Sequence, residues 1–151
     1  MRSSPLWFVT LLLAGAHDCL IASYHFVLPF QFGWRRGLHG VPDSIVWSLY
    51  ALNFSWSLLL LLTGALVLYA AFLGPSAGVF ARRMVFAVGL FWAIHGVYTW
   101  LNPFPLPHSL AWLGIVMAAF PLITITLHWL PLIATRAETV SSSSAIAVDR
   151  G

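Results

Sequence analysis

Charge is what this sequence has least of. Lysine is absent, and seven arginines and four acidic residues make up only 7% of the 151 residues. An ordinary soluble domain has about a quarter of its residues charged and just under half apolar, whereas 60% of this chain is apolar. So few charges cannot cover the surface of a water-soluble sphere. The composition therefore excludes a soluble enzyme and a disordered chain, and it predicts an integral membrane protein.

Cysteine is almost absent as well. Cys19 is alone, which excludes a disulfide scaffold and the membrane oxidoreductases that exchange a disulfide between at least two cysteines. The net charge of +3 does not indicate a nucleic-acid partner, because the arginines are spread over the whole chain. They form no basic stripe that could follow a phosphate backbone. We therefore expect no nucleic acid among the partners.

Long apolar runs, in contrast, are abundant. Four of them are long enough to cross a hydrocarbon core of about 30 Å, which needs about 20 helical residues. Segments rich in glycine and proline separate them and interrupt helices. We predict an all-α, four-helix membrane bundle in one domain, residues 1–136, followed by a disordered polar tail at 137–151. The predicted spans are about 5–30, 44–73, 79–101 and 108–133.

The arginines mark the ends of these runs and indicate the orientation of the chain. Five of the seven fall on the side of the two termini, and Arg35 and Arg36 fall on the other side. We therefore expect both termini in the cytoplasm, with the protein in a bacterial inner membrane. Residues 1–16 also resemble a cleavable signal peptide, but the apolar run continues from Cys19 to Phe30, which favours an uncleaved first span.

Polar side chains inside the spans are unfavourable in hydrocarbon, so they are candidate functional residues. Asp18 is the only acid within an apolar run, and a lone carboxylate there needs a partner. We expect that partner to be His95, which would make a proton-transfer pair. Alternatively, Asp18 only holds helices together through hydrogen bonds. Helical spacing predicts a catalytic cluster in the half of the bundle away from the termini, made of His17, Asp18, His25 and His95, with Asn53 beside it.

The residues around this cluster predict a binding site. Asn53 is expected to orient a substrate. Trp56 lies on the same polar–aromatic stripe as Asn53, and Trp92 and Tyr98 lie on the stripe of His95. The two indoles are expected to line a pocket for a lipophilic or quinone-like molecule; the alternative is that they only fill the core. His128 falls on the stripe of the fourth span, towards its cytoplasmic end and outside the cluster.

Two of these histidines also fit a haem. His25 and His95 lie at similar depth on different spans, so they could ligate a haem b from both faces, with Arg35 and Arg36 near the propionates. A non-haem metal site is not expected. No span contains glutamate, so the closely spaced ligands of a di-iron bundle are missing.

Three functions remain open at this point. The first is a small membrane enzyme that acts on a lipophilic substrate by acid–base chemistry. The second is a structural or accessory subunit of a membrane complex, and the third is a redox protein that binds haem b or a quinone. The expected partners are membrane lipid, a lipophilic small molecule, and a membrane protein or a second copy of the chain.

Overall fold

The computed structural model describes residues 5–74, 78–103, 108 and 111–148. Every described element is helical: α1 (Pro5–Gln31), α2 (Trp34–Gly37), α3 (Asp43–Leu73), α4 (Gly78–Leu101) and α5 (Ala111–Val148). Helices α1, α3 and α4 and the Ala111–Ala134 part of α5 are long and apolar enough to cross a membrane. The all-α prediction with four such helices is confirmed.

The helix ends follow the sequence closely except in α5. The other three long helices begin and end within a residue of the predicted spans, and α1 is continuous through Gly15. Helix α5 continues to Val148, across most of the segment for which the sequence predicts a disordered tail. No proline or glycine lies between Arg136 and Arg150, so nothing in that segment interrupts the helix. Residues 149–151 of the predicted tail lie outside the described residues.

Helix α1 is the centre of the bundle, because it packs along both α3 and α5, while α4 packs mainly on α5. Helices α1 and α3 run antiparallel: Trp7 Nε1 donates to the Ala70 carbonyl oxygen at 3.2 Å near one end. Their backbones approach closely at Gly64, where an added Cβ would lie 2.8 Å from Cys19 Sγ and 3.0 Å from Asp18 Cβ. Small residues permit such close contacts between apolar helices.

The outer surface of the bundle is apolar. Large side chains such as Trp47, Phe80 and Ile115 are exposed on it, while Leu11 and Val85 are buried inside. A soluble monomer rarely exposes apolar surface of this extent. The buried core is correspondingly small. Its packing positions the polar side chains that lie between the helices.

Candidate functional site

The polar side chains predicted as one cluster form two separate groups. One is an acid–histidine network of His17, Asp18 and His128, which joins α1 to α5. The other is an aromatic cavity, to which α1, α3, α4 and α5 all contribute and which contains His25 and His95. The two groups differ in how closely protein surrounds them.

In the acid–histidine network, Asp18 is completely buried and both of its carboxylate oxygens have partners. Oδ2 lies 3.2 Å from Nε2 of His128, which is also completely buried. Oδ1 lies 3.4 Å from Nδ1 of His17, whose side chain is 20% exposed. The contact to His17 is at the long end of hydrogen bonding, so His128 is the main partner.

A contact with the backbone determines which ring nitrogen of His128 carries a hydrogen. Its Nδ1 lies 2.8 Å from the carbonyl oxygen of Thr124. A carbonyl oxygen only accepts, so Nδ1 is the atom that carries hydrogen. Nε2 and the Asp18 carboxyl group then share one further proton, either as an imidazolium that donates to a carboxylate or as a carboxylic acid that donates to Nε2. In both arrangements the pair has no net charge and its facing atoms are satisfied, which reduces the penalty of burial.

The expected pairing of Asp18 with His95 is wrong, because His128 occupies that position. The apolar part of α5 ends at Ala134, close to the predicted end of the span. The contact with Asp18 therefore shows that α5 is staggered against α1, so that His128 is level with Asp18. His95 instead lies in the aromatic cavity, and the Trp92 ring packs edge-on with the rings of both His95 and His17.

The aromatic cavity has a volume of about 210 Å³. His25 of α1 and His95 of α4 contribute imidazoles, and the predicted indoles of Trp56 and Trp92 both line it. Its other lining residues are mostly apolar and come from α1, α4 and α5: Ile21, Tyr24, Thr99, Val116, Met117, Phe120 and Pro121. A small apolar cavity with a few polar groups is typical of ligand sites.

Aromatic packing holds His95 in place. Its ring centroid lies 5.9 Å from that of Trp56 and 5.6 Å from that of Trp92, and its ring stacks on Phe91 at 6.3 Å. Among the described residues, the side-chain hydrogen bond at His95 is the one that its backbone carbonyl oxygen accepts from Thr99 Oγ1 at 2.7 Å. The ring nitrogens therefore remain for a ligand. This arrangement positions a group that both donates and accepts hydrogen bonds.

Trp92 and Phe120 separate the two groups. The Trp92 ring lies 6.1 Å from the His17 ring and 5.6 Å from the His95 ring, and Phe120 packs on His17 at 4.8 Å. Both residues also line the aromatic cavity. Trp92 Nε1 is buried and has no hydrogen-bond partner among the described residues. The partition between network and cavity is therefore made of packed rings.

Two residues predicted to bind a substrate lie outside the cavity. Tyr98 is 62% exposed and faces away from it. Helical geometry explains the difference, because Thr99 lies about 20° around the helix from Trp92, whereas Tyr98 lies about 120° away. Asn53 does not line the cavity either; its Nδ2 donates to the His25 carbonyl oxygen at 2.8 Å. Asn53 therefore connects α3 to α1.

The cavity is small for a haem. Pockets for drug-sized ligands have volumes of about 300–1,000 Å³, and a porphyrin is at the large end of that class. Arg35 and Arg36, expected near the propionates, line a different cavity, although His25 and His95 do share one. In the part of the chain that the structure describes, no three His, Cys, Asp or Glu side chains gather as metal ligands.

Comparison of the chain with protein-family models, curated proteins and solved structures finds no match. A shared fold would in any case not identify an activity, because function depends on the site that a fold carries. The function of this chain must therefore be inferred from the geometry and chemistry of the two groups of side chains.

Proposed function

We propose that the protein is a four-span membrane protein whose aromatic cavity binds a small lipophilic molecule, on which His25 and His95 act as acid–base groups. Membrane insertion is supported by the four apolar helices and their exposed apolar surface. The arginine distribution supports termini on the cytoplasmic side, and the membrane that we propose is a bacterial inner membrane. We assign a structural role to Asp18 and His128, which are completely buried and therefore inaccessible to a ligand.

The observation that carries the proposal is the shared position of His25 and His95 on one aromatic cavity. Imidazole changes its charge near neutral pH and transfers protons readily. Two imidazoles from different helices can contact two polar atoms of one ligand, such as the carbonyl or hydroxyl oxygens of a ring. Indole and phenyl rings around them favour an apolar body over a hydrated one.

The size of the cavity limits the ligand. A volume of about 210 Å³ is below the roughly 300–1,000 Å³ of pockets for drug-sized ligands, which suits one six-membered ring with substituents. Tyr24 and Val116 line the cavity and are also 45% and 51% exposed on the outside of the bundle. A chain attached to the ring can therefore pass between them towards lipid. The preferred class is a single-ring quinone, quinol or phenol with an apolar tail.

The test is equilibrium binding of a decyl-substituted 1,4-benzoquinone to the detergent-solubilised protein, followed by quenching of tryptophan fluorescence. We expect saturable binding by the wild-type chain and at least tenfold weaker binding by His95→Leu, which removes both ring nitrogens. Tyr98→Phe is the matched control on the same helix, and it should bind like the wild type. Equal, non-saturable quenching in all three proteins would show that the quinone only partitions into the micelle, and it would contradict the proposal.

A non-enzymatic accessory subunit is the second candidate, favoured by the sealed Asp18–His128 pair. A buried contact between α1 and α5 stabilises a bundle without any ligand. This candidate predicts an empty cavity and a stable complex with another membrane protein. Mass spectrometry of the wild-type and His95→Leu proteins, released from their native membrane, distinguishes the two candidate functions. A ring compound that co-purifies with the wild type and is lost in His95→Leu supports ligand binding. Absence of such a compound from both proteins supports the accessory subunit.

A further inference from the structure

A second cavity lies where the chain passes from α1 through α2 into α3. It has a volume of about 910 Å³ and is lined by Arg35, Arg36, His39, Tyr50 and Phe30, among others. This arginine cavity is at the opposite end of the bundle from the N-terminus, because α1 and α3 are antiparallel and α2 follows α1. The proposed quinone site makes no use of it.

The arginine cavity has an uncompensated positive charge. The ion pairs within the described residues are the two that Asp18 forms inside the bundle. Asp43 lies nearby in sequence, in the first turn of α3, but it pairs with neither arginine. Two adjacent guanidinium groups without a carboxylate favour an anion, and their planar forks match the oxygens of a phosphate.

The backbone holds the arginine pair in a defined place. Gly33 adopts a left-handed conformation with φ of 57°, which turns the chain after α1. The Arg36 backbone N–H then donates to the Gly33 carbonyl oxygen at 2.8 Å. Trp34 packs edge-on against Tyr50 of α3 at 5.5 Å. The turn is therefore anchored to the bundle, so less entropy is lost when an anion binds than on a free loop.

Apolar surface adjoins the positive charge. Phe30 lines the cavity and is 83% exposed, and the neighbouring Phe32 is 57% exposed. Both lie at the end of a helix that is apolar enough to span a membrane. A ligand that matches this surface has a phosphate for the arginines and a hydrocarbon chain for the phenyl rings.

We propose that the arginine cavity binds the phosphate headgroup of an anionic phospholipid, with Arg35 and Arg36 on its oxygens and the acyl chains along Phe30. The site requires the membrane insertion proposed above, but it does not depend on the aromatic cavity. Inorganic phosphate shares the headgroup chemistry and lacks the acyl chains, so it distinguishes a lipid site from a general anion site.

The experiment measures binding of the full chain in nanodiscs and detergent. Phosphatidylglycerol is titrated against phosphatidylcholine, with inorganic phosphate as a competitor, and bound lipid is counted by native mass spectrometry. We expect phosphatidylglycerol to bind at least tenfold more tightly than phosphatidylcholine, and millimolar phosphate to compete only weakly. The doubly substituted Arg35→Gln, Arg36→Gln protein should lose this preference.

The chain contains its own matched control, the Arg82–Arg83 doublet at the start of α4. Arg82→Gln, Arg83→Gln should keep the lipid preference, as should the cavity variant His95→Leu. The Arg35→Lys, Arg36→Lys protein keeps the positive charge but loses the planar guanidinium groups. We expect it to have an intermediate, about threefold preference for phosphatidylglycerol. Equal losses from both doublets would show general charge attraction, and phosphate that competes as strongly as the lipid would show an anion site. Either result, or no lipid preference in the wild type, would overturn the proposal.

Discussion

The acid–histidine network and the aromatic cavity each combine side chains of α1 with a histidine from another helix, yet they differ in what surrounds them. Asp18 and His128 are completely buried, and their facing atoms are satisfied by each other and by backbone. His25 and His95 adjoin a void of about 210 Å³. Polar groups that protein fully satisfies stabilise the fold, whereas polar groups beside a void remain for a ligand. The same residue type therefore serves two purposes in one bundle.

The largest expected effect is on the network. Asp18→Ala leaves the buried Nε2 of His128 without a partner, so we expect the free energy of unfolding to fall by about 3 kcal/mol. Asp18→Asn can still donate from its amide to Nε2, so its loss should be about 1 kcal/mol. SDS-induced unfolding in mixed micelles would measure both losses. An Asp18→Ala protein as stable as the wild type would show that the network does not hold α1 to α5.

The next effect tests how tightly the network side is packed. A Cβ at Gly64 would lie 2.8 Å from Cys19 Sγ and 3.0 Å from the Cys19 backbone nitrogen. Gly64→Ala must therefore push α1 and α3 apart, and we expect a loss of about 2 kcal/mol in unfolding free energy. Gly37→Ala is the control, because nothing lies within 4 Å of its added Cβ. If both variants unfold alike, close packing at Gly64 is not a determinant of stability.

The cavity side should tolerate added volume but lose its ligand. Val116→Phe introduces a larger side chain at the lipid-facing edge of the void, so we expect quinone binding to weaken about tenfold, equal to about 1.4 kcal/mol. Stability should stay within about 0.5 kcal/mol of the wild type, the usual range for surface positions. Strong destabilisation without loss of quinone binding would contradict the assignment of ligand binding to the cavity and of stability to the network.

The smallest effect is expected at His17, the most exposed member of the acid–histidine network. Its 3.4 Å contact to Asp18 is long and partly exposed. We therefore expect His17→Gln to lower the unfolding free energy by about 0.5 kcal/mol, at the low end for a hydrogen bond. Quinone binding should be unchanged, because His17 does not line the cavity. A tenfold loss of binding would instead place His17 in the site.

The spans and their polar stripes were predictable from the sequence, because apolar runs near the length of a bilayer dominate it. Helical periodicity also identified the indoles of Trp56 and Trp92, which line the cavity. The partner of Asp18 was not predictable in this way. It depends on how the helices are staggered against one another, which the position and length of an apolar run do not determine. His128 was on the right stripe, and only its depth excluded it.

Tyr98 shows a second limit of periodicity. A polar–aromatic stripe is wider than the cavity that it faces, so residues at its edge contact lipid instead. Which residue of a stripe faces a void depends on the rotation of the helix against its neighbours. Close approaches between helices limit this rotation, as at Gly96, where an added Cβ would lie 2.6 Å from Pro121 Cβ. Such approaches are a property of the packed bundle.

One paired measurement tests the central claim most directly: the unfolding free energy and quinone affinity of His128→Ala and His95→Ala, determined side by side. We predict that His128→Ala loses about 2–3 kcal/mol of stability and, at temperatures where it remains folded, binds the decyl benzoquinone like the wild type. His95→Ala should unfold within about 1 kcal/mol of the wild type and bind at least tenfold more weakly. Two variants that lose stability and affinity in the same proportion would contradict the separation of a structural network from a ligand site.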